Sequence, residues 1–115
     1  MERRFRLTRS IDFKRVRSSG KSFAHPLVVL VVTPTEYPIA RIGVAASHTV
    51  GGAVERNRAK RLLREASRTL LPHLRPADII LIARAPLAKA TLTQASEAIN
   101  TLCNRAKLFL QDHEQ

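Results

Sequence analysis

The pattern of apolar and polar positions predicts three β-strands in the chain. Residues 27–33 (LVVLVVT) form an unbroken aliphatic and β-branched run, which is typical of a strand covered on both faces. Residues 39–46 (IARIGVAA) alternate between the two faces of a strand, and residues 78–84 (DIILIAR) form a further apolar run. Only a short turn separates the first two runs, so we expect these two strands to pair antiparallel.

Helical periodicity predicts three α-helices around these strands. The first helix is expected between an N-cap at Ser10 and a stop at Gly20. The second spans residues 53–71, where alanine and leucine recur at spacings of three and four. Thr91 and Gln94 have the spacing of a capping box at the start of the third helix. The resulting element order is αββαβα.

This order predicts the α+β class, with residues 1–115 as one compact two-layer domain around a small central sheet. The first nine residues are expected to form a basic, extended arm. The longest aliphatic run, Leu27–Val32, is far shorter than the about 20 residues that a membrane-spanning helix needs, so no membrane partner is expected. The single cysteine, Cys103, excludes an internal disulfide, which fits a cytoplasmic protein.

The net charge of +11 indicates a polyanionic partner, because a folded domain must hold this charge against its own repulsion. Residues 1–64 contain 14 basic and 4 acidic side chains, a balance of +10, whereas residues 65–115 contain 6 and 5, a balance of +1. Fifteen of the 20 basic residues are arginine, whose planar guanidinium matches phosphate and stacks on bases. The composition therefore favours nucleic acid as the partner of the first half of the chain.

The helix predicted at 53–71 concentrates this charge on one face. Its apolar residues share one side, and the opposite side contains basic residues without an acid among them. Like charges four residues apart destabilise a helix, so we expect an external anion to compensate them. The basic side comprises Arg56, Asn57, Lys60, Arg61, Arg64 and Arg68.

No arrangement of residues in the sequence indicates a protein active site or a metal site. Hydrolysis of a phosphodiester by a protein needs clustered carboxylates for metal ions or a positioned general base, and the acidic residues here are scattered. The four histidines show no metal-ligand spacing. We therefore expect no catalytic residue and no metal held by the protein.

Several segments together resemble the protein subunit of bacterial ribonuclease P. The run ERNRAKRLLRE, residues 55–65, is similar to the RNR motif of that family, and IDFKRVRSSGKS, residues 11–22, is similar to its first helix. RIGVAAS followed by VGGAVERNRAKR resembles the strand–loop–helix block of the family, and DIILIAR resembles its later strand. The similarity covers residues 3–110, with the segments in the family's order.

The resemblance implies both a fold and a function. The fold would be ribosomal protein S5 domain 2-like, with a left-handed βαβ crossover that breaks the usual handedness rule. In that family an RNA is the catalyst, and the holoenzyme removes the 5′ leader of precursor tRNA with Mg²⁺ bound mainly by RNA. The implied partners are the catalytic RNA and precursor tRNA, with no DNA. A structural RNA-binding protein, such as a ribosomal protein, is the alternative.

Two RNA-contacting regions of the family carry over to this sequence by position. The motif helix, which contacts the catalytic RNA in the family, corresponds to Arg56, Asn57, Arg58, Lys60, Arg61, Arg64 and Arg68. The cleft between the first helix and the sheet, which binds the leader, corresponds to Phe13, Lys14, Arg17, Leu30, Arg41 and Ser47. Many family members have aromatic residues where this chain has Arg17 and Leu30, so we expect a weaker and more electrostatic grip on the leader.

Overall fold

A computed structural model of the chain describes residues 2–110, so Met1 and the last five residues of the predicted 1–115 domain lie outside it. Within this range the chain forms three α-helices and four β-strands, joined by turns and short 3₁₀ segments. The helices are α1 (Ser10–Ser19), α2 (Ala53–Arg68) and α3 (Leu92–Arg105), and the strands are β1 (Lys21–Ala24), β2 (Val28–Thr33), β3 (Arg41–Ala46) and β4 (Asp78–Ala83). The α+β class and the six predicted elements are confirmed.

β1 is the strand that the apolar pattern did not predict. Three of its four residues are exposed, and only Phe23 is partly buried against the core. β1 lies at one edge of the sheet, where so short and polar a strand needs no apolar run. The element order is therefore αβββαβα.

The four strands form one mixed sheet in the order β1-β2-β4-β3. β2 pairs antiparallel with β1 and with β4, whereas β3 and β4 are parallel neighbours connected through α2. The predicted antiparallel pairing of the runs at 27–33 and 39–46 is wrong, because β4 lies between them. β4 is almost entirely buried and takes a central position in the sheet. The left-handed crossover of the β3–α2–β4 unit stays a prediction.

Helices cover both faces of the sheet. Alternate residues of β2 and β4 point to opposite faces. One set, which includes Leu30 and Leu81, packs with α2 and α3 in the larger core. The other set, which includes Val31 and Ile80, packs with Val16 of α1 in a smaller core. α1 therefore adds a third layer to the two-layer domain that we expected.

The N-terminal arm is docked on the sheet and is extended only in part. Arg3–Phe5 form a 3₁₀ turn, and Arg6 pairs with Ile42 along the outer edge of β3. The N–H group of Leu7 donates to the Ile42 carbonyl at 3.0 Å, and the Leu7 side chain is buried in the smaller core. The arm thus occupies an edge of β3 that would otherwise expose unpaired backbone groups.

The helix ends differ from prediction by a few residues at most. Ser10 is the first residue of α1, and the N-cap position belongs to Arg9, whose side chain makes no capping hydrogen bond. α2 ends at Arg68 rather than at residue 71. The capping box of α3 forms as predicted, with Thr91 and Gln94 each accepting a hydrogen bond from the backbone of the other. None of the helices in residues 2–110 combines the length and apolarity needed to cross a membrane.

Candidate nucleic-acid interface

α2 lies on the sheet with its apolar side inward and its basic side outward. Ala59, Leu63 and Ala66 are buried in the larger core, at the spacings of three and four that the sequence showed. Gly51, which precedes the helix, has a φ of 142°, a backbone conformation that residues other than glycine rarely adopt. Because its apolar side is buried in the larger core, α2 directs its basic side away from the sheet.

Four of the six residues on the predicted basic side of α2 have side chains that make no hydrogen bond or ion pair with another side chain or carbonyl in the described range. Asn57 and Arg61 are exposed, and Lys60 and Arg64 are partly exposed. We call these four residues, Asn57, Lys60, Arg61 and Arg64, the α2 basic face. Three cations without a protein counter-ion create a local positive potential that attracts an anion.

The first and third residues of the RNR run, by contrast, are engaged inside the protein. Arg56 donates to the Gly51 carbonyl at 3.1 Å and so ties the start of α2 to the preceding loop. Arg58 donates to the carbonyls of Ala88 and Ala90 at 2.6 and 3.1 Å, which fastens the segment between β4 and α3 to α2. Both arginines therefore have a structural role that the sequence did not indicate.

Arg68, the last predicted residue of the basic side, shares its charge with Glu65. The Arg68 Nη2 and Glu65 Oε2 atoms are 2.8 Å apart. The hydrogen bond from Arg68 lowers the pKa of Glu65, and the same bond raises the pKa of Arg68. Both side chains are exposed, so the pair is weak and a phosphate can compete for the guanidinium. The unpaired positive charge of α2 is therefore concentrated between Asn57 and Arg64.

A shallow pocket of about 180 Å³ lies where α1, β3, α2 and the N-terminal arm meet. Phe13 of α1 and Gly43 of β3 line it, together with Arg6 of the arm and Arg64 of α2. The Phe13 ring rests on Gly43, since a Cβ atom there would come within 2.8 Å of Phe13 Cε2. An aromatic ring bordered by two arginines can stack a base while the guanidinium groups hold its phosphates.

The remaining predicted cleft residues on α1 and β3 differ in their placement. Lys14 and Arg17 are exposed on α1, and Arg17 lies one turn after Phe13 on the same side of the helix. Ser47 is exposed just beyond β3, where its hydroxyl accepts a hydrogen bond from the Thr49 N–H at 3.4 Å. The helical spacing thus brings Phe13 and Arg17 together, while Ser47 is engaged in a local turn.

Of the other two residues predicted for the cleft, Leu30 lies outside it, whereas Arg41 lies on the sheet face that α1 covers and is engaged by a buried carboxylate. Leu30 is completely buried in the larger core, on the face of the sheet opposite α1. It lies two residues after Val28 in β2, and alternate residues of a strand point to the same face. Arg41 donates to the buried carboxylate of Asp78 through Nε and Nη2, both at 3.0 Å. Arg41 begins β3 whereas Ser47 follows its end, so the two lie roughly 20 Å apart along the strand.

Among the pocket residues that were not predicted as site residues are Arg6 and Gly43. Gly43 could have been found from the alternation in β3, which puts it on the same face as Ala45 and so under α1. Arg6 carries no such signal, because its position depends on the pairing of the arm with Ile42 at the sheet edge.

Comparison with known proteins assigns this fold and surface to one family. The family model described as Ribonuclease P matches residues 1–107. The chain belongs to the ribonuclease P protein family. This membership supports the predicted ribonuclease P subunit and not the alternative of a structural ribosomal protein.

Individual members of the family are similar over nearly their whole length. The ribonuclease P protein component of Herpetosiphon aurantiacus is 41% identical over 100% of this chain and 94% of that protein. The component of Chloroflexus aurantiacus is 42% identical over 95% of this chain and 82% of that protein. The structure of the Staphylococcus aureus RNase P protein has a TM-score of 0.83 and 32% identity, covering 92% of this chain and 98% of that one. The Thermotoga maritima protein has a TM-score of 0.77 and 26% identity, covering 87% of this chain and 96% of that one.

In this ribonuclease P protein, the best-buried acidic side chains are engaged by arginines within the fold. Asp12 accepts hydrogen bonds from Arg9 and Arg15, and Asp78 accepts them from Arg15 and Arg41. The hydrogen bond from Arg9 holds the pKa of Asp12 below its usual value. Residues 2–110 contain no group of three or more His, Cys, Asp or Glu side chains placed to hold a metal ion. The two buried carboxylates, Asp12 and Asp78, are thus each paired with arginines.

Proposed function

We propose that this ribonuclease P protein binds two RNAs in the holoenzyme. The α2 basic face binds the catalytic RNA, and the pocket at Phe13 binds the single-stranded 5′ leader of precursor tRNA. The protein thereby promotes endonucleolytic removal of the leader, and it contributes no catalytic residue. The observation that carries the proposal is a division within α2: Lys60, Arg61 and Arg64 are unpaired, whereas every other basic residue of the helix has a partner inside the protein.

The α2 basic face has the geometry and chemistry of a phosphate-binding surface. Lys60 and Arg64 are one turn apart, about 6 Å along the helix axis, with Arg61 beside them. Neutralising phosphates with such residues releases counterions, which gives strong and salt-dependent binding. Asn57 both donates and accepts hydrogen bonds, so it can contact a sugar hydroxyl or a base edge where arginine only donates.

The pocket at Phe13 suits a single strand better than a duplex. A base can stack on the Phe13 ring only if it is free of its own helix. Arg6 on the border, with Arg17 exposed one turn along α1, provides positive charge for the leader backbone. With only one aromatic ring at the pocket, the leader would be held mostly by charge.

Chemistry at the scissile bond is assigned to the RNA in this proposal. Mg²⁺, which phosphodiester hydrolysis by RNA requires in this family, would be held mainly by RNA phosphates, because the described carboxylates are scattered and the buried ones, Asp12 and Asp78, are paired with arginines. The cations of α2 would lower the amount of Mg²⁺ needed to screen RNA against RNA. Both proposed partners belong to the bacterial cytoplasm, and neither a membrane nor DNA enters the proposal.

Leader binding is tested by titrating the reconstituted holoenzyme with fluorescent precursor tRNAs of increasing leader length. We expect affinity to rise with leader length until the leader fills the pocket, and Arg17→Ala to reduce that rise. Arg75→Ala is the control, since it removes one exposed arginine of the C-terminal half. If Arg17→Ala and Arg75→Ala give the same dependence on leader length as the native protein, Arg17 does not hold the leader.

A further inference from the structure

A row of polar side chains crosses the sheet beneath α1. Thr33 of β2, Asp78 of β4 and Arg41 of β3 are direct cross-strand neighbours at one end of the sheet. By parity they share the face of Ile80, which α1 covers. The carboxylate of Asp78 is completely buried, and Arg41 forms two hydrogen bonds to it at 3.0 Å.

Arg15 connects this row to α1. Its Nη2 atom donates to Asp78 and, at 3.5 Å, to Asp12 of its own helix, while its Nη1 atom donates to the Thr33 hydroxyl at 3.2 Å. A buried carboxylate binds its partners firmly, because an uncompensated buried charge is strongly unfavourable. The bridge from Arg15 to Asp78 is therefore a directional anchor between the helix and the sheet.

The other attachments of α1 are less directional. Val16 is the one apolar residue of α1 that is fully buried, and it packs on Val31 and Ile80. Such apolar contact is not directional and does not by itself select one orientation of the helix. Phe13 meets Gly43, whose lack of a side chain leaves room for the ring but provides no hydrogen bond to it. Within residues 2–110, the side-chain hydrogen bonds between α1 and the sheet are those of Arg15 to Thr33 and Asp78.

We propose that the Arg15–Asp78–Arg41 bridge positions α1 for leader binding. It holds the Phe13 ring on Gly43, and with it the pocket and the nearby Arg17. Arg15 is thus a positioning residue that acts through Phe13. As far as the leader is concerned, this inference rests on the proposed function, whereas the dependence of the Phe13–Gly43 contact on Arg15 is a property of the protein alone.

The dependence within the protein is tested by NMR on three variants. The Phe13 ring should shift the Hα resonances of Gly43 by its ring current in the native protein. We expect Arg15→Ala to remove most of this shift, Arg15→Lys to keep most of it because the ammonium still pairs with Asp78, and Arg75→Ala to leave it unchanged. Arg15→Ala should fold, since the Arg15 side chain is 42% exposed and Arg41 still pairs with Asp78. A native Gly43 shift in Arg15→Ala overturns the proposal.

The consequence for the leader is tested in the reconstituted holoenzyme with the same variants. The measured quantity is the ratio of affinities for precursor tRNA with a leader and for tRNA without one. We expect Arg15→Ala to lower this ratio about tenfold, about 1.4 kcal/mol, and Arg15→Lys to restore it, with no change in affinity for the catalytic RNA. A loss that falls equally on catalytic-RNA binding overturns the positioning role, because it indicates general unfolding.

Failure of the proposed function gives a different result. If the native holoenzyme binds both tRNAs equally, leader binding itself is absent, whatever the Gly43 resonance shows. If the native ratio is large, and Arg15→Ala loses the Gly43 shift but keeps the ratio, the bridge positions α1 without affecting the leader, and the proposal fails.

Discussion

The ring of Phe13 lies against the backbone of Gly43 so closely that no side chain fits between them. A Cβ atom on Gly43 would come within 2.8 Å of both Phe13 Cε2 and the Leu7 carbonyl oxygen. The contact joins α1, β3 and the N-terminal arm at one point, which is the pocket proposed for the leader. A glycine in the middle of a strand usually weakens it, so its presence here is explained by the close approach of the ring.

Gly43→Ala should therefore destabilise the protein and displace Phe13. Overpacking of this kind costs about 1–3 kcal/mol, and urea denaturation followed by circular dichroism measures it. The Leu7 carbonyl is backbone and cannot move aside as a flexible side chain would.

Gly52→Ala is the matched control. Its nearest neighbour would be the flexible Glu55 side chain at 3.2 Å, and its φ of −77° suits alanine. We expect a change within about 0.5 kcal/mol, because loss of a glycine N-cap and reduced freedom of the unfolded chain oppose each other. Equal stability losses for the two variants would contradict the close contact at Gly43.

Two arginines of α2, Arg58 and Arg61, should separate a role in stability from a role in RNA binding. Arg58→Ala removes hydrogen bonds to the Ala88 and Ala90 carbonyls and should lower the free energy of unfolding by about 1–2 kcal/mol. Arg61→Ala removes an exposed, unpaired side chain and should change it by less than about 0.5 kcal/mol. Chemical denaturation of both variants measures the difference. A larger loss of stability in Arg61→Ala than in Arg58→Ala would contradict the structural role assigned to Arg58.

The salt dependence of catalytic-RNA binding should report the α2 basic face. With about 5 phosphates neutralised, the log–log slope of affinity against salt is expected to be roughly −3 to −5. Replacing Lys60 and Arg61 by alanine together should make it less steep by about 1.4–1.8. Replacing Arg75 and Lys89, two exposed cations of the C-terminal half, should not change it. Identical slopes for the two double variants would mean that Lys60 and Arg61 of the α2 basic face do not contact phosphate.

Acid should reduce the contribution of Asp12 to stability. The pKa of Asp12 is lowered in the folded protein, first by the hydrogen bond from Arg9. A carboxyl group of this kind stabilises the fold above its unfolded pKa, and the contribution is lost as the pH falls through the folded pKa. The difference in Tm between the native protein and Asp12→Asn should thus be constant above about pH 5 and shrink below about pH 4.

The exposed Glu36→Gln serves as the control for the acid experiment. Its Tm should follow that of the native protein across the range. A difference between native and Asp12→Asn that stays constant down to pH values near 2 would contradict the role assigned to Asp12.

The sequence predicted those parts of the fold that local patterns determine. The strands at 27–33 and 78–84 and the amphipathic α2 appear in the apolar periodicity, and Thr91 with Gln94 marks the start of α3. β1 has no such signal, because an exposed edge strand needs few apolar residues. The position of β4 between β2 and β3 depends on pairing across the whole chain, which no local pattern records.

In the candidate site, too, local patterns could be predicted and contacts between distant residues could not. The α2 basic face was predictable from helical spacing, whereas the partners of Arg56 and Arg58 lie in neighbouring loops and could not be inferred from it. Leu30 was placed in the cleft by resemblance alone, although its parity in β2 assigns it to the opposite face. The pairing of Arg41 with Asp78 could not be inferred from the sequence, because the two residues are 37 positions apart, and a role of Arg41 in leader binding stays a prediction.

The most direct test of the central claim is reconstitution at low Mg²⁺ concentration. Precursor tRNA is incubated with the catalytic RNA alone, with the purified protein alone, and with both, and release of the 5′ leader is measured. We predict rapid cleavage only when both are present, and a higher protein requirement for the variant in which Lys60 and Arg61 are alanine. Cleavage by the protein without RNA, or RNA cleavage that the protein leaves unchanged, would contradict the account.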